Sequence, residues 1–229
     1  MMQEQFNCIK QEIEKVALNA GRLAEEITLV AVSKTYPVEA IESAYELGCR
    51  DFGENKVQEL LYKMEQVKYP VRWHFIGHLQ TNKVKYIVGK VALIHSVDSI
   101  KLLEEIEKQS AKQDIISNVL LEVNISQEES KFGFNKSELK DVYDKVKTLK
   151  HICVKGLMTV APYVEKEALN RPIFREIFQI AVDMQKQKND NIRNEILSMG
   201  MSNDYKVAIQ EGSTMIRIGT ALFGERDYL

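Results

Sequence analysis

The sequence predicts an α/β protein, a single (β/α)8 TIM barrel, with one domain spanning residues 1–229. Eight short apolar stretches alternate with segments of helical or polar character. The chain length lies near the ~250 residues typical of such barrels, and no linker or low-complexity segment interrupts it. The same alternation also allows an open, doubly wound sheet, which is the alternative architecture.

A helix over residues 2–20 is predicted first, because apolar residues recur at helical spacing and Gly21 follows as a stop. The eight predicted strands are Thr28–Lys34, Arg50–Glu54, Val71–Ile76, Val91–Ser96, Asn118–Val123, Ile152–Met158, Glu195–Met199 and Thr214–Ile218. The helices predicted between them are Pro37–Glu46, Lys56–Val67, Asn82–Val88, Asp98–Ala111, Ser137–Leu149, Phe174–Lys186 and Asp204–Gln210. Asp98 is predicted to be the N-cap of its helix.

Composition and charge exclude several classes of function. The net charge of −2 argues against a nucleic-acid binder that depends on phosphate contacts. No apolar run approaches the ~20 residues of a membrane helix. Cys8, Cys49 and Cys153 are too widely separated for a disulfide framework, which favours a reducing compartment. We therefore expect a cytoplasmic monomer that binds neither nucleic acid nor membrane.

Lys34 ends the first predicted strand, within the stretch TLVAVSKTYP. The apolar run from Leu29 to Val32 is typical of a strand buried on both faces of a parallel sheet. Most lysines are solvated surface groups, and position alone favours that interpretation for Lys34. The carboxyl ends of barrel strands, however, are where such folds bind their ligands.

Polar residues follow the other predicted strands as well. The full set is Lys34, Asn55, His78, Ser96, Asn124, Thr159, Ser202 and Thr220. A barrel would gather such residues at one rim, although loops are polar in any fold. His74 and His78 are four residues apart, but Gly77 and the strand pattern make a zinc site unfavourable.

The last two strand ends carry features of a phosphate site. SMGMS follows strand seven and RIGT ends strand eight. Gly200 and Gly219 would let main-chain N–H groups approach an anion, with Ser202 and Thr220 as hydroxyl donors. The glycines are equally compatible with simple turns.

Strand alternation places Arg217 on the same face as Met215, which we expect to be the inner face of the barrel. A buried guanidinium needs a partner, either a carboxylate from another strand or an acceptor on a ligand. A lysine, an arginine and a phosphate pocket at one barrel mouth suggest pyridoxal 5′-phosphate (PLP) as the cofactor.

Seven segments resemble the YggS/PROSC family of pyridoxal phosphate homeostasis proteins and follow the order found in that family. They are AVSKTYP, FGENKVQE, WHFIGHLQTNK, LEVNISQEESKFGF, GLMTVAPY, LSMGMSNDY and GSTMIRIGTALFGERDY. The resemblance covers nearly the whole chain. It implies a barrel similar to the N-terminal domain of alanine racemase.

The resemblance also implies roles for individual residues. Lys34 would hold PLP as a Schiff base, and Arg217 would face the pyridine nitrogen. Ser202, Gly219 and Thr220 match the phosphate-binding positions of the family. Asn55, a sixth position, matches a residue that lies near the cofactor.

The implied function is intracellular PLP homeostasis without substrate turnover, with apo forms of PLP-dependent enzymes as recipients. The alternative is a single-domain PLP-dependent amino-acid racemase, and weak racemase-like activity is compatible with either. Alanine racemases add a β domain that supplies a tyrosine base, and we expect none because the sequence ends at Leu229. A barrel that binds another phosphorylated metabolite is a third possibility. Four lysines near the second and third strands are expected to form a solvated face rather than a second site: Lys56, Lys63, Lys83 and Lys85.

Overall fold

Strands and helices alternate as predicted through the described part of the chain. The structure, a computed structural model, describes residues 2–126, 128, 132–186 and 189–225. Its strands are β1 Thr28–Val32, β2 Asp51–Glu54, β3 Arg72–Phe75, β4 Leu93–Val97, β5 Ser117–Glu122, β6 Ile152–Met158, β7 Ile192–Met201 and β8 Met215–Ile218. Its α-helices are α1 Met2–Asn19, α2 Val38–Glu46, α3 Val57–Gln66, α4 Ile100–Gln113, α5 Leu139–Val146, α6 Arg171–Gln185, α7 Tyr205–Gln210 and α8 Thr220–Phe223. None of these helices is long and apolar enough to cross a membrane.

The eight strands form a closed parallel barrel in chain order, which confirms the predicted (β/α)8 architecture. β1 closes the ring, because Val30 lies opposite Asp51 on β2 and opposite Arg217 on β8. Parallel strands need crossover connections, and helical segments supply them on the outside of the barrel. Since all strands run in one direction, their carboxyl ends meet at a single rim.

Side chains alternate between two apolar layers, as the period of a strand requires. A small cluster fills the barrel interior and consists of Val30, Leu93, Leu120, Met158 and Met215. Residues at the intervening positions, such as Ala31, Ile216 and Ile218, join a larger cluster between the strands and the helices. Arg217 lies between Ile216 and Ile218 and therefore shares the inner face with Met215, as the alternation predicted.

The barrel depends on a glycine in β6 that lies directly against the main chain of β7. The pairing register of β6 shifts next to Gly156 on both sides of the strand. A Cβ atom added to Gly156 would lie 1.8 Å from the carbonyl oxygen of Ile196. The glycine that the sequence places within strand six is therefore required by the close approach of two main chains.

The first helix, predicted over residues 2–20, is present as α1 and packs against α7 and α8. Its buried face consists of Phe6, Ile9, Ile13 and Ala17. On its polar side Glu12 accepts a hydrogen bond from Lys206 at 2.6 Å and another from the Tyr205 hydroxyl. These contacts join the start of the chain to the helix that precedes β8.

The short helix predicted over Asn82–Val88 is present as a 3₁₀ helix over Thr81–Tyr86. The predicted N-cap of α4 is wrong. The N-cap of α4 is Ser99, whose hydroxyl accepts from the Leu102 N–H at 3.3 Å. Asp98 instead binds His78, with 2.8 Å between Oδ2 and Nδ1. Asp98 and Ser99 both have side chains able to cap a helix. Because Asp98 binds the imidazole of His78, Ser99 caps α4.

Candidate functional site

A cavity of about 620 Å³ opens at the rim formed by the carboxyl ends of the strands. All six residues selected from the sequence as cofactor ligands line it: Lys34, Asn55, Ser202, Arg217, Gly219 and Thr220. They belong to β8 or to the segments that follow β1, β2, β7 and β8, four neighbouring strands of the ring. The closed barrel thus brings residues from both ends of the chain into one cavity.

Lys34 lies two residues beyond β1 and is half-buried. The preceding residue, Ser33, donates its main-chain N–H to the carbonyl of Gly53 on β2 at 3.1 Å. The following residue, Thr35, has a φ of 69°, in the left-handed region that β-branched residues rarely adopt. The main chain around Lys34 is therefore held in one defined conformation by its surroundings.

Lys63 on α3 is a buried cation that binds the segment before Lys34. Its Nζ donates to the Ser33 carbonyl at 2.7 Å and to the Glu54 and Glu59 carboxylates at 2.8 and 2.7 Å. The side chain is only 3% exposed, so the predicted solvated face is wrong for Lys63. Two carboxylates hold the ammonium group in the interior, because a buried cation needs opposite charge.

The same cluster fixes both neighbours of the cavity lysine. The Ser33 hydroxyl donates to Glu54 at 2.6 Å, and the Thr35 main-chain N–H donates to Glu59 at 2.5 Å. Burial raises the pKa of the Glu54 carboxyl above its ordinary value, although the nearby ammonium group opposes that shift. The turn that carries the cavity lysine is therefore attached to β2 and α3 at two points, one on each side of Lys34.

Asn55, the residue after β2, has a buried side-chain oxygen without a hydrogen-bond partner. No described residue donates to its Oδ1, which is shielded from solvent. Buried acceptors almost always have a partner, and Asn55 lines the cavity. This orphaned oxygen indicates a ligand that brings a hydrogen-bond donor to this side of the cavity.

Arg217 is almost fully buried and reaches the cavity from inside the barrel. Its Nη1 donates to the Ser198 carbonyl and hydroxyl at 2.9 and 2.7 Å, and its Nη2 donates to the Thr159 carbonyl at 2.9 Å. Burial lowers its pKa to about 10, although the charges of Glu122 and Asp204 oppose the shift. Within the described residues no carboxylate forms a salt bridge with Arg217, so neutral groups orient the guanidinium at the cavity.

Ser202 follows β7 and connects the carboxyl ends of β7 and β8 at the cavity. Its Oγ accepts the main-chain N–H groups of Gly219 and Ala221 at 3.3 and 3.4 Å. The hydroxyl proton of Ser202 is not used by these two bonds. Thr220 is exposed beside it as the first residue of α8. This corner of the cavity therefore offers the hydroxyl groups of Ser202 and Thr220 as donors to an anion.

Gly200 has a packing role rather than the anion contact that the sequence allowed. It has a φ of 92°, and it is absent from the lining of the cavity. A Cβ atom at this position would lie 2.5 Å from the Ala208 Cβ atom and 2.9 Å from the Tyr205 Cα atom. Glycine is needed here because α7 packs directly against the end of β7.

The other four strand-end residues of the predicted set do not line the cavity. Ser96 donates to the Gly77 carbonyl at 2.5 Å, and Thr159 donates to the Val123 carbonyl at 2.8 Å. His78 binds Asp98, and Asn124 lies within the loop after β5, where its Nδ2 donates to the Glu128 carbonyl at 3.0 Å. Polar character at a strand end alone does not distinguish a ligand from a residue that stabilises the rim.

Sequence reasoning missed the contribution of the loop after β6. Its residues Val160–Val164 and Asn170 line the cavity, as does Asp204 after β7. Asn170 donates to Asp204 at 2.8 Å and to the Pro162 carbonyl at 2.9 Å, which connects the loop to the β7 end. The unusual length of this loop was the available signal, because long loops in compact domains are often functional.

Glu122 is a further interior group that the sequence did not single out. It ends β5 and is buried near Arg217. Burial raises its pKa to about 7, the charge of Asp98 adds to the shift, and Arg217 opposes it. Its position at an inward-facing strand end was the only sequence signal.

The cavity combines a primary amine, a buried guanidinium, an orphaned acceptor and two hydroxyl donors. The donors suit a phosphate group, and the amine suits a carbonyl compound that can form an imine. A small phosphorylated aldehyde with a hydrogen-bonding ring fits this set of groups and this volume.

Comparison with known proteins gives consistent results. Residues 9–227 match the family described as alanine racemase, N-terminal domain. The pyridoxal phosphate homeostasis protein of Aquifex aeolicus is 45% identical over 226 residues, covering 98% of both chains. The protein of the same name from Escherichia coli is 39% identical over 224 residues, covering 96% of this chain and 94% of the other.

Solved structures extend this similarity. PipY of Synechococcus elongatus, solved with PLP bound, has a TM-score of 0.85 and 32% identity over 98% of this chain and all of its own. An unknown protein from Bifidobacterium adolescentis has a TM-score of 0.91 and 33% identity over 96% of this chain and 94% of its own. Alanine racemase from Corynebacterium glutamicum, at 14% identity and a TM-score of 0.71 over 96% of this chain and 61% of its own, shares the fold.

These matches cover nearly the whole chain and agree with the barrel fold. The chain therefore belongs to the pyridoxal phosphate homeostasis protein family, within the wider family of alanine racemase N-terminal domains.

Proposed function

We propose that this protein binds PLP in the rim cavity, holds it as a Schiff base on Lys34, and maintains the intracellular PLP pool without substrate turnover. One observation carries the proposal: a single cavity is lined by all six residues that the family pattern associates with PLP. A relative that is 32% identical and has been solved with PLP bound supports it further.

The residues present fit this cofactor. Lys34 supplies an amine that condenses with an aldehyde, with loss of one water molecule. The orphaned Oδ1 of Asn55 supplies an acceptor for a donor on the ligand. Ser202 has a hydroxyl proton to donate to phosphate while its Oγ accepts the N–H of Gly219. Thr220 adds a second hydroxyl at the same corner.

Arg217 supports a carrier rather than an enzyme. PLP supplies an aldehyde for imine exchange and a ring that stabilises carbanions when its nitrogen is protonated. A guanidinium facing that nitrogen disfavours protonation, because two positive charges would then lie together. Arg217 remains cationic at neutral pH even though burial lowers its pKa to about 10. Exchange of the aldehyde between amines is therefore favoured over racemisation.

The cofactor assignment can be tested by spectroscopy and mass measurement. Protein purified with PLP is expected to show a visible absorbance band of an imine, and borohydride is expected to fix one pyridoxyl phosphate group to the peptide containing Lys34. Lys34→Ala should abolish both signals. Lys85→Ala, at an exposed position on the 3₁₀ helix, is the matched control and should retain them. An unchanged band in Lys34→Ala would refute the assignment.

The racemase alternative predicts turnover on the same site. The PLP-loaded protein would be incubated with single-enantiomer amino acids in deuterated water. We expect no stereochemical scrambling beyond that given by free PLP. Scrambling at rates typical of enzymes would instead support a single-domain amino-acid racemase.

We also propose that the protein is a cytoplasmic monomer that passes PLP to apo forms of PLP-dependent enzymes. The cysteines Cys8, Cys49 and Cys153 are all free, which suits a reducing compartment. An apo-enzyme supplied with the loaded protein should regain activity even when a scavenger removes free PLP. If the apo-enzyme regains activity only at the rate at which PLP is released into solution, direct transfer is contradicted. The monomeric state would be tested separately by light scattering.

A further inference from the structure

A chain of hydrogen-bonded side chains crosses the interior of the barrel and ends at Arg217. Asp51 Oδ1 lies 2.9 Å from His74 Nε2, and His74 Nδ1 lies 2.9 Å from His95 Nε2. His95 Nδ1 lies 3.1 Å from Ser198 Oγ, which accepts from Arg217 Nη1 at 2.7 Å. Residues of five different strands thus form one continuous chain.

These polar groups occupy positions that (β/α)8 barrels usually fill with branched apolar side chains. His95 and Ser198 are fully buried, and the remaining members of the chain are at most 6% exposed. Buried polar groups are destabilising unless each one has a partner. The chain satisfies this requirement, because each imidazole uses both ring nitrogens.

Arg72 sets the charge at the far end of the chain. Its Nε and Nη2 donate to the two oxygens of Asp51 at 2.8 and 2.5 Å. Burial raises the pKa of Asp51, but hydrogen bonds from His74 and Arg72 outweigh this effect and bring it to about 2. Asp51 is therefore an ionised acceptor at neutral pH and can only receive hydrogen bonds.

A fixed acceptor at one end sets the direction of every bond in the chain. His74 must donate from Nε2 to Asp51, which leaves its Nδ1 as an acceptor when the ring is neutral. His95 then donates from Nε2 and accepts at Nδ1 from the Ser198 hydroxyl. The Ser198 oxygen remains available to accept from Arg217. All the hydrogen bonds therefore point from Arg217 toward Asp51.

The reverse direction leaves a proton without an acceptor. If His95 donated from Nδ1, the Ser198 oxygen would receive two donors and its own proton would need another partner. The only side-chain partners of the Ser198 hydroxyl among the described residues are His95 and Arg217. Burial, followed by the neighbouring His74 ring and the positive charge of Arg217, also lowers the pKa of His95 far below its ordinary value, so this ring is neutral.

We propose that His74 and His95 are positioning residues that act as a directed hydrogen-bond chain, anchored on Asp51, to hold Arg217 in one orientation at the cavity. The consequence for PLP rests on the proposed function, because Arg217 would face the pyridine nitrogen. The direction of the chain is a property of the protein itself and does not depend on PLP.

The chain also connects two cavities at opposite ends of the barrel. Arg217 lines the rim cavity, whereas Asp51 and Arg72 line a second cavity of about 360 Å³ near the starts of the strands.

Histidine tautomers provide the direct test. Protein labelled with ¹⁵N-histidine and free of PLP would be studied by long-range ¹H–¹⁵N NMR. We expect His74 and His95 each to be protonated at Nε2 and unprotonated at Nδ1. A protonated Nδ1 on either ring would overturn the proposed direction. Asp51→Asn removes the fixed acceptor and is expected to give a mixture of tautomers at His95.

Asp98→Asn is the matched control, because Asp98 also binds a histidine and its side chain, like that of Asp51, is 8% exposed. It should leave the His95 signals unchanged. If Asp51→Asn also leaves His95 in a single unchanged tautomer, Asp51 does not direct the chain and the proposal fails. Both variants keep the shape of the side chain, so folding is expected to be preserved.

The link to Arg217 is tested separately through Ser198. Ser198→Ala removes the hydroxyl, and Ser198→Thr keeps it. We expect Ser198→Ala to shift both the Arg217 Nε–H resonance and the absorbance maximum of bound PLP, and Ser198→Thr to restore both. If both variants shift the Arg217 resonance and the PLP absorbance maximum equally, the Ser198 hydroxyl has only a structural role. If the wild-type protein binds no PLP, the proposed function fails, while the tautomer experiment still decides the direction of the chain.

Discussion

Lys63 Nζ lies 2.7 Å from the Ser33 carbonyl oxygen, one residue before the lysine that lines the cavity. The ammonium group also binds two carboxylates, one on β2 and one on α3. The turn that presents Lys34 is thus fastened to the second β/α unit by a buried ion cluster. Positioning of Lys34 and stability of the barrel therefore depend on the same contacts.

Lys63→Met should destabilise the protein strongly. Removal of the cation leaves Glu54 and Glu59 near each other without compensation, and breaking a buried pair costs about 3 to 5 kcal/mol. Urea denaturation of the PLP-free protein measures the loss. Lys101→Met, at an exposed position on α4, is the control and should change the free energy of unfolding little. A similarly small loss for Lys63→Met would show that the cluster contributes little to stability.

Asn55→Ala should have opposite effects on stability and binding. The Oδ1 atom has no partner among the described residues, so its removal should leave the PLP-free protein as stable as before or slightly more stable. Loss of one hydrogen bond to the ligand should weaken PLP binding about tenfold. Thermal unfolding and fluorescence titration measure the two effects. Unchanged PLP affinity would remove Asn55 from the site.

Glu122→Gln should change how stability depends on pH. Burial raises the folded-state pKa of Glu122 to about 7, so its contribution to stability is present below the unfolded value near 4.5 and is lost as the pH rises through about 7. The shift corresponds to roughly 3 kcal/mol at ~1.4 kcal/mol per pKa unit. The variant should therefore gain stability relative to the wild type between pH 4 and pH 8.

Denaturation of the PLP-free protein across this pH range measures the effect of Glu122→Gln. Glu65→Gln, at an exposed position on α3, is the matched control and should follow the wild-type profile. Parallel profiles for Glu122→Gln and the wild type would show that Glu122 ionises normally despite its burial.

Gly156→Ala should prevent stable folding. The new methyl group would lie 1.8 Å from a main-chain oxygen on β7, and the paired strands cannot separate without loss of barrel hydrogen bonds. We expect a loss of more than about 4 kcal/mol, seen as insoluble or unfolded protein. Gly21→Ala, where φ is 69° and no atom lies within 4 Å, should lose only about 1 kcal/mol. Comparable losses in the two variants would show that β6 and β7 adjust to the added methyl group.

The element pattern was predictable because its signals are local. Apolar runs such as Leu29–Val32 and stops such as Gly21 and Gly48 lie within a few residues of the elements that they define. The inward direction of Arg217 followed from the period of two along β8. The position of Lys34 at the rim followed from the barrel architecture, once eight units had been counted.

Side-chain partners could not be predicted in the same way. Lys63 reads as an ordinary helix lysine, and its burial depends on a carboxylate from β2 that only the barrel brings close. Asp98 and Ser99 are equivalent caps in sequence, and a histidine from the preceding β/α unit decides between them. No sequence motif marks His74 and His95 as a pair. Their contact depends on the alignment of β3 with β4, which the sequence does not reveal.

The sequence by itself determined the eight β/α units, the family and the six candidate ligands, because periodicity, turn residues and motifs are properties of neighbouring residues. Only the tertiary structure decided that these six residues share one cavity and that a chain of polar side chains connects Asp51 to Arg217. It also decided that Lys63 is buried and binds the carbonyl of Ser33, next to Lys34. Each of these relationships joins residues far apart in the chain, and their distances depend on the register of strands around the closed ring.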